Sequence, residues 1–345
     1  MILLLLLLTF LISLGLTWCT RRYAIKKNIL DIPNQRSSHQ IPTPRGGGLA
    51  IVVSFLLALS GMYWAGFVAI SLFYALLGGG IVIAVIGYAD DVYTLGSRFR
   101  ALTHLLAAVW AVYWLHGFPT LDVGTWQFAL GKMGSVIAVI GIIWCINFYN
   151  FMDGIDGLAG SEGVFLAIAS SLGVVLAHNT NVACLLLFFA ACISGFTLMN
   201  WAPAKIFMGD IGSGFIGYVF GVMAISTTHG LLNMTFWLII MAVFICDATF
   251  TLIMRAAQGK RWYAAHKEHA YQRLIALGAS HKDVTLGITL INLLILLPLA
   301  LLSQRQPALG VGLLAAVTLS LFAAWIGIKL MKREGVQHEA NITIS

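Results

Sequence analysis

Charge is what this sequence has least of. Lys and Arg number 20 and Asp and Glu 13 among 345 residues, 10% charged against 60% hydrophobic. A soluble domain carries about 25% charged residues. A chain this poor in charge could not cover a water-facing surface, so a soluble fold is excluded. Cysteine is scarce too. Cys19, Cys145, Cys184, Cys192 and Cys246 fall in or beside apolar runs with no paired or metal-type spacing, which argues against a disulfide framework or a thiolate metal site. No basic residue precedes the leucine-rich run 1–18, and no small-x-small cleavage site follows it. The run therefore reads as a first spanning helix, not a secretory signal.

What is present is long apolar sequence. A spanning helix needs about 20 mostly apolar residues. About eleven such windows occur, at 1–19, 47–65, 67–88, 101–118, 133–149, 162–178, 182–200, 211–227, 234–254, 284–303 and 308–330. Lipid offers backbone groups no water, so these windows predict helices. The expected fold is an all-α polytopic transmembrane bundle over 1–331 with a cytoplasmic tail at 332–345. An outside N-terminus puts 18 of the 20 Lys and Arg in cytoplasmic segments, leaving only Lys132 and Arg305 outside. This is a positive-inside pattern, and it makes the C-terminus cytoplasmic. The net charge of +7 then reports topology and affinity for membrane lipid head groups rather than nucleic acid.

The acids are also one-sided. Asp122 alone lies in a predicted outer loop, and Asp247 lies inside a span; the other eleven of the 13 are at the cytoplasmic edge or beyond it. Acids contribute little to topology, so they need another cause. Three clusters stand out: Asp90-Asp91 at the end of a span; Asn147, Asn150, Asp153 and Asp156 at steps of three; and Asp210 in Phe207-Met-Gly-Asp-Ile-Gly-Ser. Steps of three keep side chains near one helical face. Any single cluster reads equally well as turn and cap residues. Together, Asp and Asn oxygens suit a hard divalent ion shared with substrate phosphates, and they suit phosphoryl transfer. Each cluster adjoins a helix end, where free N–H groups can hold phosphate.

Cations supply the complement. His266, Lys267, His269 and Arg273 are spaced for one or two turns of an interfacial helix, and Arg36 and Arg45 lie in a rigid loop ending in three glycines. Either group could face phosphate; the loop could equally just restart a helix. Asp247, costly within a span, reads as lining a polar cleft or as a structural partner. A transporter or flippase of anionic or lipid-linked substrates is the rival reading. Such proteins put polar groups near the midplane, as only Asp247 does here.

Residues 25–290 resemble the polyprenyl-phosphate N-acetylhexosamine-1-phosphate transferases, a glycosyltransferase family 4 group. The matching elements are Asp31-x-Pro-x-x-Arg36 with Pro44-Arg45-Gly-Gly, Asp90-Asp91, Asn147-x-x-Asn150-x-x-Asp153-Gly-x-Asp156-Gly, Phe207-Met-Gly-Asp210-x-Gly-Ser213 and the late His motif. The resemblance implies a Mg²⁺-dependent enzyme (Mn²⁺ as an alternative) of the bacterial inner membrane, and it admits a homodimer. Undecaprenyl phosphate would attack the β-phosphorus of a UDP-N-acetyl sugar, giving lipid diphosphate sugar and UMP. It implies Asp210 and Asn150 as metal ligands, Asp90 and Asp91 near the lipid phosphate, Asp153 and Asp156 on the nucleotide side, and His269 at the diphosphate. Arg36, Arg45, Asn147, Phe207, His266, Lys267 and Arg273 would line the substrates. The peptidoglycan enzyme has three His before Phe-Glu; this chain has His266-Lys-Glu-His269-Ala-Tyr, which argues against a muramoyl-pentapeptide substrate. The nearest likeness is to transferases that start lipopolysaccharide O-antigen or related glycans, some of which accept 6-deoxy sugars. A lipid phosphate with a second pKa near 6 hardly needs a general base, so direct in-line attack leads; a covalent aspartyl-phosphate route stays open.

Overall fold

The computed structural model describes residues 1–33, 41–93, 95–117, 120–123, 126–261 and 266–331, with the main chain alone at 121–123 and 126–127. Arg36 and the 332–345 tail, with its Lys332, Arg333, Glu334 and Glu339, lie outside the described residues. Helix α1 (Ile2–Lys26) leads to an antiparallel bridge of β1 (Leu30–Asp31) and β2 (Thr43–Pro44), Leu30 opposite Pro44. Helices α2 (Gly48–Trp64), α3 (Ile70–Tyr93) and α4 (Ser97–Trp114) follow. A small hairpin comes next, β3 (Thr120–Val123) with β4 (Trp126–Ala129), Val123 opposite Trp126. Then come α5 (Gly131–Met152), α6 (Leu158–Leu176), α7 (Thr180–Asn200) and α8 (Asp210–Thr227). The last third holds α9 (Met234–Ile240), α10 (Ala242–Ala257), the short α11 (Ala270–Ala276), α12 (His281–Ile291), α13 (Leu297–Arg305) and α14 (Pro307–Leu330). A π-helical turn at Asn292–Leu296 joins α12 to α13 without a break.

Every apolar window is helical, and the all-α membrane bundle is the observed class. The span count differs from the expected eleven. Among the described residues, eight helices are long and apolar enough to cross a membrane, or nine with one bent pair. That pair is the 234–254 window, which is two helices, α9 and α10, meeting at 75°. Helix α2 has 17 residues, and α4 begins with Arg98 and Arg100, so these two fall short of a spanning helix by length and composition.

Helix α8 is the centre, 89% buried along its apolar window, whereas α1 and α14 at the rim are 17% and 6% buried. Glycines explain how α8 is gripped. A side chain on Gly48 of α2 would strike the Gly212 main chain, one on Gly87 of α3 would strike Ile211, and one on Gly217 would strike the Cys145 main chain of α5. Small residues let helix backbones close up where lipid gives no hydrophobic drive between helices. Three neighbours thus pin α8 lengthwise, and its first residue, Asp210, lands where the ends of α3 and α5 meet the starts of α2 and α4.

Candidate active site

Two arginines bridge three carboxylates at this junction. Arg45, just before α2, places Nε 2.8 Å from Asp91 Oδ1 and Nη2 2.8 Å from Asp210 Oδ1. Arg100, in the first turns of α4, places Nη1 2.8 Å from Asp90 Oδ2 and 3.3 Å from Asp210 Oδ2. The loop before α8 is seated by main-chain bonds: Phe207 N–H donates to Pro44 O, and Gly47 and Gly48 donate to Phe207 O and Met208 O. This pairing sets Arg45 across from Asp210 and gives the triple glycine its use: it docks α2 on α8. Burial alone would lower the Arg45 guanidinium, but Asp91 and Asp210 outweigh it and hold it above the ordinary arginine value.

Asp90 and Asp91, adjacent in sequence, do different things. Consecutive residues of a helix point about 100° apart. Asp90 faces α4 and also accepts the Leu95 N–H at 2.5 Å. Asp91 faces α8, accepting Asp210 N–H at 2.8 Å and Ile211 N–H at 3.2 Å, with its side chain 2% exposed. The N-cap residue of α8 is Gly209, which has no side chain, and Asp91 caps the helix in its place from α3. Gly209 permits this: its φ is +77°, and a side chain there would meet the Asp91 carboxylate.

The steps of three from Asn147 do not stay on one helical face, because α5 stops at Met152. Asn147 donates to Ile143 O within its own helix, and Asn150 Nδ2 donates to Ser213 Oγ at 3.0 Å, reaching α8. Asp153 is past the helix end. Among the described residues its half-buried carboxylate has no hydrogen bond or ion pair. Burial pushes it up to about 7, Asp210 adds to this, and Arg45 opposes it. Asp156 is a pin in the next turn: it accepts Ala204 N–H at 3.0 Å, and His281 Nδ1 lies 3.4 Å from its Oδ1.

The late His motif is split. His266 and Lys267 precede α11, and His269 is its N-cap, so no single helix carries all four residues. The rings of His266 and His269 lie 4.8 Å apart, and His269 stacks on Phe151, at 6.1 Å, near the end of α5. Tyr271 donates to Phe151 O at 2.9 Å, which holds this end of α11 beside Asp153. Burial, His269 and Arg255 push the His266 imidazole down to about 4, so it is neutral and can offer phosphate only an N–H. Lys267 is exposed. Arg273 turns away, donating to Met331 O at the end of α14. Asp247 resolves into a structural partner. It accepts Ala270 N–H at 2.7 Å and Tyr271 N–H at 3.2 Å, capping α11 as Asp91 caps α8.

The glycosyl transferase family 4 model matches residues 73–228, from α3 through α8. A probable undecaprenyl-phosphate N-acetylglucosaminyl 1-phosphate transferase of Bacillus subtilis is 31% identical over 324 residues, 92% of this chain and 86% of that protein. The chain belongs to glycosyl transferase family 4. A decaprenyl-phosphate N-acetylglucosaminephosphotransferase of Mycobacterium tuberculosis is 29% identical over 307 residues, 78% of this chain and 74% of its own length. An undecaprenyl-phosphate alpha-N-acetylglucosaminyl 1-phosphate transferase of Salmonella typhimurium is 27% identical, with 81% of this chain and 78% of that one covered.

In this family member, sequence reasoning missed two contributors. Arg100 looks like a topology charge, yet it ties Asp90 to Asp210. His281 begins α12 and reaches Asp156; nothing in its local pattern signals this. Among the described residues no three His, Cys, Asp or Glu side chains form a metal-holding group. The donor set still fits Mg²⁺, which is usually held by one or two carboxylates together with substrate phosphates. Arg45 and Arg100 are the guanidinium partners of Asp90, Asp91 and Asp210, and Asp153, which has no hydrogen bond or ion pair among the described residues, is pushed up to about 7 first by burial and then by Asp210.

Proposed function

We propose that the protein transfers N-acetylhexosamine 1-phosphate from a UDP-sugar to undecaprenyl or another polyprenyl phosphate. UMP is released at the cytoplasmic face of the bacterial inner membrane, in an initiating step of O-antigen or related envelope glycan synthesis. The observation that carries this reading is the Asp210 carboxylate held between Arg45 and Arg100, with unpaired Asp153 beside it. Two guanidiniums and a charge-hungry carboxylate set are what a diphosphate and a phosphate need to meet without repulsion. The relatives, undecaprenyl-phosphate transferases by name, support the acceptor class.

The chemistry is one in-line displacement. An oxygen of the acceptor phosphate bonds to the β-phosphorus, the bond from that phosphorus to the α–β bridging oxygen breaks, and UMP carries the electron pair away. The acceptor is largely dianionic at neutral pH, so no residue need take its proton. Asp90 positions Arg100, Asp91 positions Arg45 and the start of α8, and Asp156 seats the 201–209 loop. Asp210 and Asn150, with Asp153, would hold Mg²⁺ or Mn²⁺, which when bound neutralises the diphosphate. His269 and neutral His266 offer N–H groups from the far side of Asp153.

The test is UMP release from a panel of UDP-N-acetyl sugars with undecaprenyl phosphate and Mg²⁺. Release with at least one sugar is expected, and that sugar names the donor; silence across the panel overturns the reading. Label retained on protein given β-labelled UDP-sugar without lipid would replace direct attack by a covalent route.

A further inference from the structure

Helix α12 stands outside the carboxylate junction, yet its polar side chains are spent on the element that carries Asp153. Thr285 and Asn292 lie four and eleven residues beyond His281. At about 100° per residue, all three fall within about 40° of one another around the rod. Leu286 and Leu290, on the opposite side, are exposed. The polar stripe runs along the start of α6. At its far end Asn292 Nδ2 donates to Glu162 Oε2 at 2.6 Å, and both side chains are buried. At its near end it grips the main chain of Asp156. His281 Nδ1 accepts the Asp156 N–H at 3.3 Å, and Thr285 Oγ1 donates to Asp156 O at 3.1 Å. Ser280 caps α12 by accepting the Asp283 N–H at 3.1 Å, which fixes His281 as the first residue of the helix.

The turn from Asp153 to Gly157 is thus held from outside. Asp156 Oδ2 takes the Ala204 N–H and Gly157 N–H donates to Asn200 Oδ1, each at 3.0 Å. Tyr271 covers Gly154, where a side chain would strike its hydroxyl. The Asp153 carboxylate makes no bond of its own among the described residues. Its direction is therefore whatever the main chain of the turn gives it. Misplacing a reacting or metal-holding group by about 1 Å can cost about 10²-fold in rate, so a residue that fixes this turn acts on the chemistry without touching it.

We propose that His281 is a positioning residue for the transfer reaction: with Thr285 it fixes the Asp156 main chain, and through it the direction of the Asp153 carboxylate. The proposal rests on the transferase reading for the reaction. It brings α12 into the site as a strut, anchored on α6 by Asn292 and bearing on the turn through His281 Nδ1.

The experiment uses the full-length protein in nanodiscs and compares His281→Ala, His281→Asn and His281→Gln. An asparagine places an amide oxygen about where Nδ1 lies, whereas a glutamine amide reaches only to the Nε2 position. Lys282→Ala, an exposed neighbour on the same helix, is the control. In His281→Ala, hydrogen exchange of the peptide spanning 151–160 should quicken. UMP release should lose about tenfold to a hundredfold in kcat, with the KM for undecaprenyl phosphate unchanged. His281→Asn should recover most of both losses and His281→Gln neither, while Lys282→Ala matches the wild type. Wild-type kcat in His281→Ala overturns the proposal. So does equal recovery by Asn and Gln, which would make the side chain mere filling, or a loss of kcat matched by a fall in unfolding temperature. If His281→Ala does not fold, the Asn and Gln variants carry the same comparison. The two readings fail separately. Unchanged exchange at 151–160 sinks the strut whatever the activity, and quickened exchange in a protein that releases UMP from no sugar sinks the reaction.

Discussion

Asp91→Asn changes one atom of one side chain, and the structure says what that atom was doing. The carboxylate receives three donors: Asp210 N–H at 2.8 Å and Arg45 Nε at 2.8 Å on Oδ1, and Ile211 N–H at 3.2 Å on Oδ2. An asparagine can keep its oxygen at the Oδ1 position and satisfy two of them. Its NH₂ then faces the Ile211 N–H, donor against donor, in a site where the side chain is 2% exposed. Weakening an N-cap costs about 0.5–2 kcal/mol, and a buried unsatisfied N–H about 1–3 kcal/mol. Arg45 keeps Asp210 as a partner, so no buried cation is stranded. The expected loss is therefore about 2–4 kcal/mol, visible as a fall in apparent unfolding temperature in detergent, with turnover reduced because Asp210 and Arg45 shift. Asp153→Asn should behave in the opposite way. It removes a carboxylate that lacks a partner, so the protein stays as stable or becomes more so while turnover is lost. If Asp91→Asn unfolds at the wild-type temperature and is nevertheless inactive, the capping argument is wrong and Asp91 touches the reacting groups.

Asp153 also predicts a pH effect in metal-free protein. Its folded pKa, about 7, stands above the ordinary aspartate value of 3.8. The folded state therefore binds the extra proton, and stability is greatest below about pH 4 and falls as pH rises through 7; the full effect is of order 4 kcal/mol. Unfolding temperatures recorded across that range should slope downward, and the slope should vanish in Asp153→Asn and shrink with saturating Mg²⁺; a flat wild-type profile refutes this. Asp210→Asn should abolish turnover with the protein still inserted and folded, since Arg45 and Arg100 retain Asp91 and Asp90; substantial Mg²⁺-dependent activity would remove Asp210 from the metal site. Glu162→Gln tests an unrelated spot. Glu162 Oε2 accepts Asn292 Nδ2 at 2.6 Å, while Glu162 Oε1 and Asn292 Oδ1 are both buried without partners. A glutamine amide can pair reciprocally with Asn292, so the unfolding temperature should rise; a fall would mean that the charge at Glu162 is needed.

The helices were legible because lipid makes a spanning helix both apolar and about 20 residues long, and both properties are local. The bend at Met241 was not, since neither Pro nor Gly marks it. The acids were legible as a set for the same reason that they were ambiguous one by one. Composition shows that Asp90, Asp91, Asp153, Asp156 and Asp210 need a cause; only the neighbouring helices assign separate causes. Asp91 and Asp247 became caps, Asp156 a loop pin, Asp153 an open carboxylate. Arg100 was hidden because the positive-inside rule already accounts for a cation after a span, and an explained residue invites no second question.

The caps also change where phosphate recognition must come from. Acids and glycines beside helix ends suggest free N–H groups aimed at phosphate. Helix α8 has none to give. Asp210 and Ile211 N–H donate to Asp91, and Gly212 and Ser213 N–H donate to Gly209 O. The first two N–H groups of α11 are likewise spent on Asp247. In each case a carboxylate from a neighbouring membrane helix has taken the place an anionic ligand would occupy. The positive end of α8 is thus used to fix Asp210 in position. Beside these two helix starts, the donor left open among the described residues is on a side chain, Nη1 of Arg45. A substrate anchored by side chains at the starts of α2 and α4 could be gripped and released without unravelling the central helix that carries Asp210.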